Sequence, residues 1–228
     1  LESREFNHLY KIVQKSYSDV LNIYYPKIKK NYLLQEYSDL KLDEDHKRIW
    51  TKKNRLLKEK DIVEWLKMSE LISYLNKIFG EVEISDEEKL GFPNVYWRLV
   101  RPNTEEDIGP LHRDEWFWLI NRSSKIKTFH TRIKVWIPLL TEKGQNGLLV
   151  LPNSHKDEKI QWTKFEKNGQ IKPKLNSFIK KENLKLLNLD KKNLVIFNDK
   201  LLHGGAINKG KLPRVSIEFT LFIKNKRN

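Results

Sequence analysis

The feature that most constrains this chain is a change of texture at Pro93. Beyond it, β-branched and aromatic residues come in short runs, at residues 95–100, 132–137, 148–151, 194–197 and 214–223. Gly, Pro, Asn and Asp separate the runs, as at Gln145-Asn146-Gly147 and Asn198-Asp199. Short runs bounded by turn residues read as strands, and several of them predict a sandwich or jelly roll. Before Pro93 the period is helical. Phe6, Leu9, Tyr10, Val13, Tyr17, Val20 and Leu21 recur at helical spacing, and Pro26 marks a stop. A second helix is expected from a D-x-x-E cap at Asp61 and Glu64 to a C-terminal cap at Gly80, carrying Ile62, Leu66, Leu71, Ile72, Leu75, Ile78 and Phe79. The expectation is one domain over residues 1–228. A helical layer over 1–90 packs on a mainly β core over 91–228, and the lysine-rich stretch around 156–192 forms an excursion or lid.

The bulk composition removes several classes. With 228 residues the chain is long enough for one well-buried core. The absence of cysteine rules out disulfides, thiolate metal sites and cysteine nucleophiles. No apolar run approaches the ~18 residues of a membrane span, and Leu1 to Glu5 lack the apolar core of a signal peptide. A cytoplasmic protein is expected. Residues 1–90 carry 17 Lys+Arg against 17 Asp+Glu, and residues 91–228 carry 27 against 13, so the whole formal +14 lies in the second part. Much of it is lysine between His155 and Lys192. Such lysines most often form a solvated face, and less often a field that draws in an anionic substrate.

Three features in the β region have the residue types for one site. In His112-Arg113-Asp114, residues i and i+2 of an extended segment point to one side, so an imidazole and a carboxylate can share an ion. His203 follows far along the chain, before Gly204 and Gly205, which allow close backbone approach. Two histidines and a carboxylate on one face of an octahedron leave three positions open, an arrangement associated with non-haem iron(II). Arg214 lies eleven residues after His203 on the next expected strand, and its guanidinium suits bidentate grip of a carboxylate. An H-x-D triplet alone arises readily by chance. The order H-x-D, long gap, His, then Arg is far more specific.

With these residues the sequence resembles the phytanoyl-CoA dioxygenase-like branch of the Fe(II)/2-oxoglutarate oxygenases over roughly residues 93–222. Residues 146–156, Asn-Gly-Leu-Leu-Val-Leu-Pro-Asn-Ser-His-Lys, are similar to that branch's N-G-x-L-x-x-x-P-G-S-H-K segment, with Asn153 in place of the usual glycine. The resemblance implies a double-stranded β-helix core, a jelly roll of the cupin-like kind. It implies that His112, Asp114 and His203 bind iron, that Arg214 binds the distal carboxylate of 2-oxoglutarate, and that Trp136 lies beside the co-substrate. Lys134 shares the face of Trp136. It further implies oxidative decarboxylation of 2-oxoglutarate with O2, giving succinate and CO2 and oxidising a C–H bond. The Asp114 carboxylate favours hydroxylation, since related halogenases carry a small residue there.

On the substrate side, Trp116 stands at an even offset from His112 and is read either as pocket mouth or as packed core. Arg98 shares a strand face with Tyr96 and is read as meeting an anionic group or forming a structural ion pair. Arg101 and Arg122 lie near the same segments. His155 is read as structural, and His8, His46 and His130 as surface or packing residues. The expected substrate is a small molecule, with charge tilting toward an acidic or phosphorylated one. A nucleic-acid dealkylase of this class carries a second arginine six residues after the first, where this chain has Thr220. Two further rivals are a non-catalytic jelly-roll binding protein and a zinc hydrolase using the same three ligands.

Overall fold

The computed structural model describes residues 1–27, 31–42, 45–120, 130–167 and 169–224; Arg122 falls outside them. Among the described residues five α-helices are found: α1 (Ser3–Tyr24), α2 (His46–Ile49), α3 (Glu59–Met68), α4 (Leu71–Phe79) and α5 (Asp114–Ile120). In α1 the apolar stripe from Phe6 to Leu21 is buried, as its spacing requires. The second expected helix is two. Ser69 accepts the Leu71 N–H through its hydroxyl at 3.1 Å, and Glu5 of α1 accepts the Glu70 N–H at 2.5 Å. These side chains satisfy backbone groups that a continuous helix would bond internally, so the chain breaks there. The residue preceding α3 is Lys58, and Asp61 pairs with Lys15 at 3.2 Å instead of capping. Gly80 does close α4, at φ +83°, its N–H donating to the Asn76 carbonyl.

The described residues also form ten strands: β1 (Val82–Ile84), β2 (Tyr96–Val100), β3 (His130–Leu140), β4 (Leu148–Val150), β5 (Trp162–Lys167), β6 (Gln170–Leu175), β7 (Lys185–Leu186), β8 (Val195–Asn198), β9 (His203–Gly205) and β10 (Arg214–Lys224). The major sheet runs β1-β10-β3-β8, with β2 also paired to β10, and the minor sheet runs β7-β4-β9. All pairs are antiparallel. No helix among the described residues is long and apolar enough to cross a membrane.

Alternation along β10 separates two environments. Val215, Ile217, Phe219 and Leu221 pack with Ile133, Val135, Ile137, Trp97 and Leu99 against the helical layer. Trp65 of α3 meets the Phe219 ring edge-on at 6.4 Å. The other face carries Arg214, Ser216, Glu218 and Thr220, with Lys134 and Trp136 of β3 beside them. That face looks toward the minor sheet, where Trp136 packs on Leu148 and Val150. Near its end β3 bulges: Val215 opposes Leu140 while Ser216 opposes Pro138. Pro138 has no N–H for the ladder, so a bulge is where a strand can hold it, and both Leu139 and Leu140 then join the helix-facing core.

The lysine-rich stretch is more ordered than a lid. β5 and β6 form a hairpin, and β7 adds to the minor sheet. Trp162 of the hairpin stacks on Trp116 of α5 at 5.4 Å, with Ile160, Leu175 and Ile179 around them. The apolar residues scattered among the lysines thus fix the hairpin to α5.

Phe219→Ala removes a ring packed between sheet and helices and should destabilise the protein by about 3–5 kcal/mol in chemical denaturation. Phe178→Ala, at an 87% exposed side chain, should change stability by less than about 0.5 kcal/mol. Equal effects would mean that the helical layer is not part of one cooperative core.

Candidate metal centre

His112 and His203 exchange backbone hydrogen bonds, His112 N to His203 O at 2.9 Å and the reverse at 3.0 Å. Directly opposed residues of an antiparallel pair project their side chains to the same face, so the two imidazoles lie side by side, ring centroids 4.5 Å apart. Asp114 arrives differently from the sequence expectation. It is the first residue of α5, so the triplet is not extended throughout. The turn into the helix, not strand alternation, brings its carboxylate beside the Nε2 atoms of both rings. Its Oδ1 stands 3.7 Å from His112 Nε2 and its Oδ2 stands 3.6 Å from His203 Nε2. The three donor atoms lie within 4.8 Å of one another.

Each histidine is oriented in the same way. The Nδ1 of His112 bonds the Pro110 carbonyl at 2.8 Å and that of His203 bonds the Leu201 carbonyl at 2.9 Å. A carbonyl only accepts, so Nδ1 carries the proton and the Nε2 lone pair faces Asp114, the tautomer a metal requires. Burial pushes the His203 pKa down to about 4, reinforced by His112 and Lys134 and opposed by Asp114. The ring is therefore neutral near pH 7 and free to ligate. Burial alone would raise the Asp114 pKa, but Lys134, His203 and His112 hold it well below the usual carboxylate range. Its Oδ2 is buried without a hydrogen-bond partner. An orphaned carboxylate oxygen facing two imidazole lone pairs fits a bound divalent cation.

Of the other expected residues, Lys134 stands 3.9 Å from Asp114. Trp136 is buried between the sheets on the same strand face. Arg214 is 2% exposed. It donates from Nη1 to the Gly147 carbonyl at 2.6 Å, its Nε is buried without a partner, and no carboxylate among the described residues lies at salt-bridge distance. Burial lowers its pKa to about 10, with Arg98 adding and Glu218 opposing, so it stays charged. A Cβ at Gly205 would approach Arg214 Nη2 to 3.4 Å and Ile108 to 3.2 Å, which leaves little room for a larger residue. Trp116 is 1% exposed and packed in the cluster with Trp162. Arg98 pairs with Glu218 at 3.2 Å. His155 is not among the grouped ligands. His46 is neither surface nor mere packing, because its Nδ1 meets the Tyr37 hydroxyl at 2.9 Å.

Several supporting residues carry no signal strong enough to single them out in sequence. Arg113, inside the H-x-D triplet, is buried and donates to the Ser154 and Asp157 carbonyls. Ser154 Oγ in turn accepts the Leu202 N–H at 2.8 Å. The two ligand loops are thereby tied through residues 154–157. Asn153 adopts φ +62°, a left-handed conformation that asparagine tolerates better than most residues, so the turn survives the loss of glycine. Asn146 Nδ2 donates to Asn208 Oδ1 at 2.8 Å, and the Gly147 carbonyl that Arg214 uses follows directly. At φ +146°, with Leu187 O 3.1 Å from any Cβ, only glycine suits position 147. The Asn-Gly and Ser of the 146–156 segment were the available signal.

A jelly-roll-like pair of sheets with two histidines and an aspartate at one end defines a metal-dependent class, and the chain belongs to the phytanoyl-CoA dioxygenase family. The family's pattern, described as Phytanoyl-CoA dioxygenase (PhyH), matches residues 38–216. Among solved structures, it is similar to EvdO2 from Micromonospora carbonacea var. aurantiaca complexed with 2-oxoglutarate, with 14% identity, a TM-score of 0.53, and 75% of this chain and 66% of that one covered. EctD from S. alaskensis with 2-oxoglutarate and 5-hydroxyectoine shares 14% identity at a TM-score of 0.55, covering 97% and 68%. AviO1 from Streptomyces viridochromogenes Tue57 shares 13% identity at a TM-score of 0.52, covering 97% and 85%. At these identities the likeness is one of fold. The chain spans slightly less than two thirds of EvdO2, at 66%. No curated protein matches the sequence.

The titration of His203 has a direct consequence. Between pH 6.5 and about 4 the unfolded chain binds a proton there that the folded chain does not. The stability of the metal-free protein should therefore fall as pH drops through that window, and His203→Gln should flatten the dependence. A profile with the same slope in the variant, measured by denaturation across pH, would reassign the effect.

Proposed function

We propose that this protein is a non-haem Fe(II)- and 2-oxoglutarate-dependent dioxygenase that hydroxylates a C–H bond of a small molecule. The observation that carries the reading is the pairing of two incomplete groups in one interior. One is a buried carboxylate with an orphaned oxygen between two oriented imidazoles. The other is a buried arginine with no carboxylate partner among the described residues. A cation completes the first and a carboxylate completes the second. Iron(II) held by His112, Asp114 and His203 supplies activation of O2 coupled to decarboxylation of 2-oxoglutarate to succinate and CO2.

The chain's own residues set the geometry. Arg214, fixed by the Gly147 carbonyl, holds the distal carboxylate of 2-oxoglutarate. Trp136 walls the co-substrate in and keeps water from it. Lys134 stabilises the ionised form of Asp114, so that the carboxylate ligates at neutral pH. Because Asp114 supplies the third ligand, no position is vacated for a halide, which favours hydroxylation.

The substrate is read as acidic or phosphorylated. Arg98 disfavours the charge on each of Arg55, Lys134 and Arg214, and among the described residues Glu218 and Asp114 are the carboxylates set among these four cations, while Glu87 and Glu88 are engaged by Lys52. A divalent metal and a dianionic co-substrate cancel, so the excess positive charge remains for another anion.

Turnover is tested as succinate released in the presence of iron(II), ascorbate and 2-oxoglutarate across a metabolite panel. His112→Ala and Asp114→Ala should abolish it with the fold retained; wild-type turnover in either would sink the ligand assignment. Arg214→Ala should raise the 2-oxoglutarate concentration needed by about 30-fold or more, the equivalent of about 2 kcal/mol for loss of one partner in a buried charge pair. An unchanged requirement would show that another cation holds that carboxylate.

A further inference from the structure

A cavity of about 150 Å³ opens beside the edge of β2. Such a volume is well below the ~300–1,000 Å³ of pockets that enclose a whole ligand, so it suits a single chemical group. Trp50 and Leu99 line it, and Arg55 and Arg98 present their side chains to it. Arg55 belongs to no sequence motif.

The two guanidiniums are under-compensated. Arg55 Nε donates to the Trp50 carbonyl at 3.0 Å, which fixes the side chain. No carboxylate among the described residues reaches salt-bridge distance of Arg55. Arg98 has one carboxylate contact, Glu218 at 3.2 Å. The acidic residues lining the cavity do not fill the gap. Asp107 is committed to Arg101, which donates from Nε and Nη2 at 2.8 Å each, and to His46 at 3.4 Å. Glu106 is exposed, and Lys47 is a third cation in the lining. Burial and the neighbouring Arg98 both disfavour the charge on Arg55, with Glu218 only partly opposing them. Two guanidiniums facing one small cavity, with Glu218 in contact with Arg98 alone, form a seat for an oxyanion.

The cavity also lies close to the metal centre. Glu218, 3.2 Å from Arg98, lies opposite Trp136 on the strand face that also carries Lys134, and Lys134 stands 3.9 Å from Asp114. We propose that this cavity is the subsite in which Arg55 and Arg98 hold an oxyanion of the substrate, a phosphate or a carboxylate, while the rest of the molecule extends to the metal centre. The assignment rests on the oxygenase reading for its meaning as a substrate subsite, and its anion chemistry is tested separately.

The full chain, with 2-oxoglutarate at saturation so that Arg214 is engaged, is titrated calorimetrically with inorganic phosphate and, separately, with acetate. One-to-one binding of phosphate identifies a phosphorylated substrate class, and preference for acetate identifies a carboxylate. Arg55→Met should weaken binding of the preferred anion at least tenfold, while Lys174→Ala, on the exposed hairpin, should leave it unchanged. A second measurement needs no variant. The preferred anion should protect Arg55 and Arg98 of the wild-type protein from phenylglyoxal, read by peptide mass spectrometry. Binding that Arg55→Met leaves intact, an equal loss in Lys174→Ala, or unprotected labelling of both arginines would overturn the subsite. Absence of binding by either anion at millimolar concentration would do the same. Succinate release separates the two readings. Anion binding without any 2-oxoglutarate turnover would count against the oxygenase and leave the oxyanion seat standing. Turnover without anion binding would do the reverse.

Discussion

The reciprocal backbone pair between His112 and His203 is the interaction on which the centre depends. It sets two residues that are distant in sequence directly opposite each other, so that their rings share a face without any side-chain adjustment. The neighbouring pairs extend the same register, Val150 opposite His203 and Leu149 opposite Gly204. Side-chain orientation then needs only one carbonyl per ring, at Pro110 and Leu201. Backbone geometry sets the spacing and local hydrogen bonds set the tautomers.

The major sheet makes this possible by keeping its two faces apart. One face is apolar and closed by helices, with Trp65, Trp97 and Phe219 buried there. The other gathers Arg214, Glu218 and Lys134 in a confined interior, where desolvation works against every charge. Burial on the first face offsets the cost of the second. The pattern is what a binding interior requires, since groups already desolvated interact strongly with whatever completes them.

The strand runs of residues 95–100, 132–137, 148–151, 194–197 and 214–223 were legible because alternation and turn residues are local properties, and each overlaps an observed strand. The helix break at Ser69-Glu70 was not, because it is enforced from Glu5, far away in sequence. The H-x-D triplet converges as expected, but through a turn into α5 that alternation could not reveal. Trp116 looked ambiguous for a related reason: its neighbour Trp162 comes from the hairpin that the lysine-rich composition disguised. Arg55 and Glu218 carried no motif. Their significance appears only once β2 and β10 are paired and bring Arg98 beside Glu218.

The clasp formed by Arg113 and Ser154 joins loops that carry ligands from opposite ends of the catalytic half. Asp114 and His203 stand about 90 residues apart in the chain, and an ion shared between them closes that whole span. Such an ion behaves as a reversible staple. It binds the folded chain and not the unfolded one, and so would couple metal supply to the lifetime of the fold. With no cysteine available for covalent cross-links, the same three side chains proposed to hold the metal would also give this chain a long-range tether.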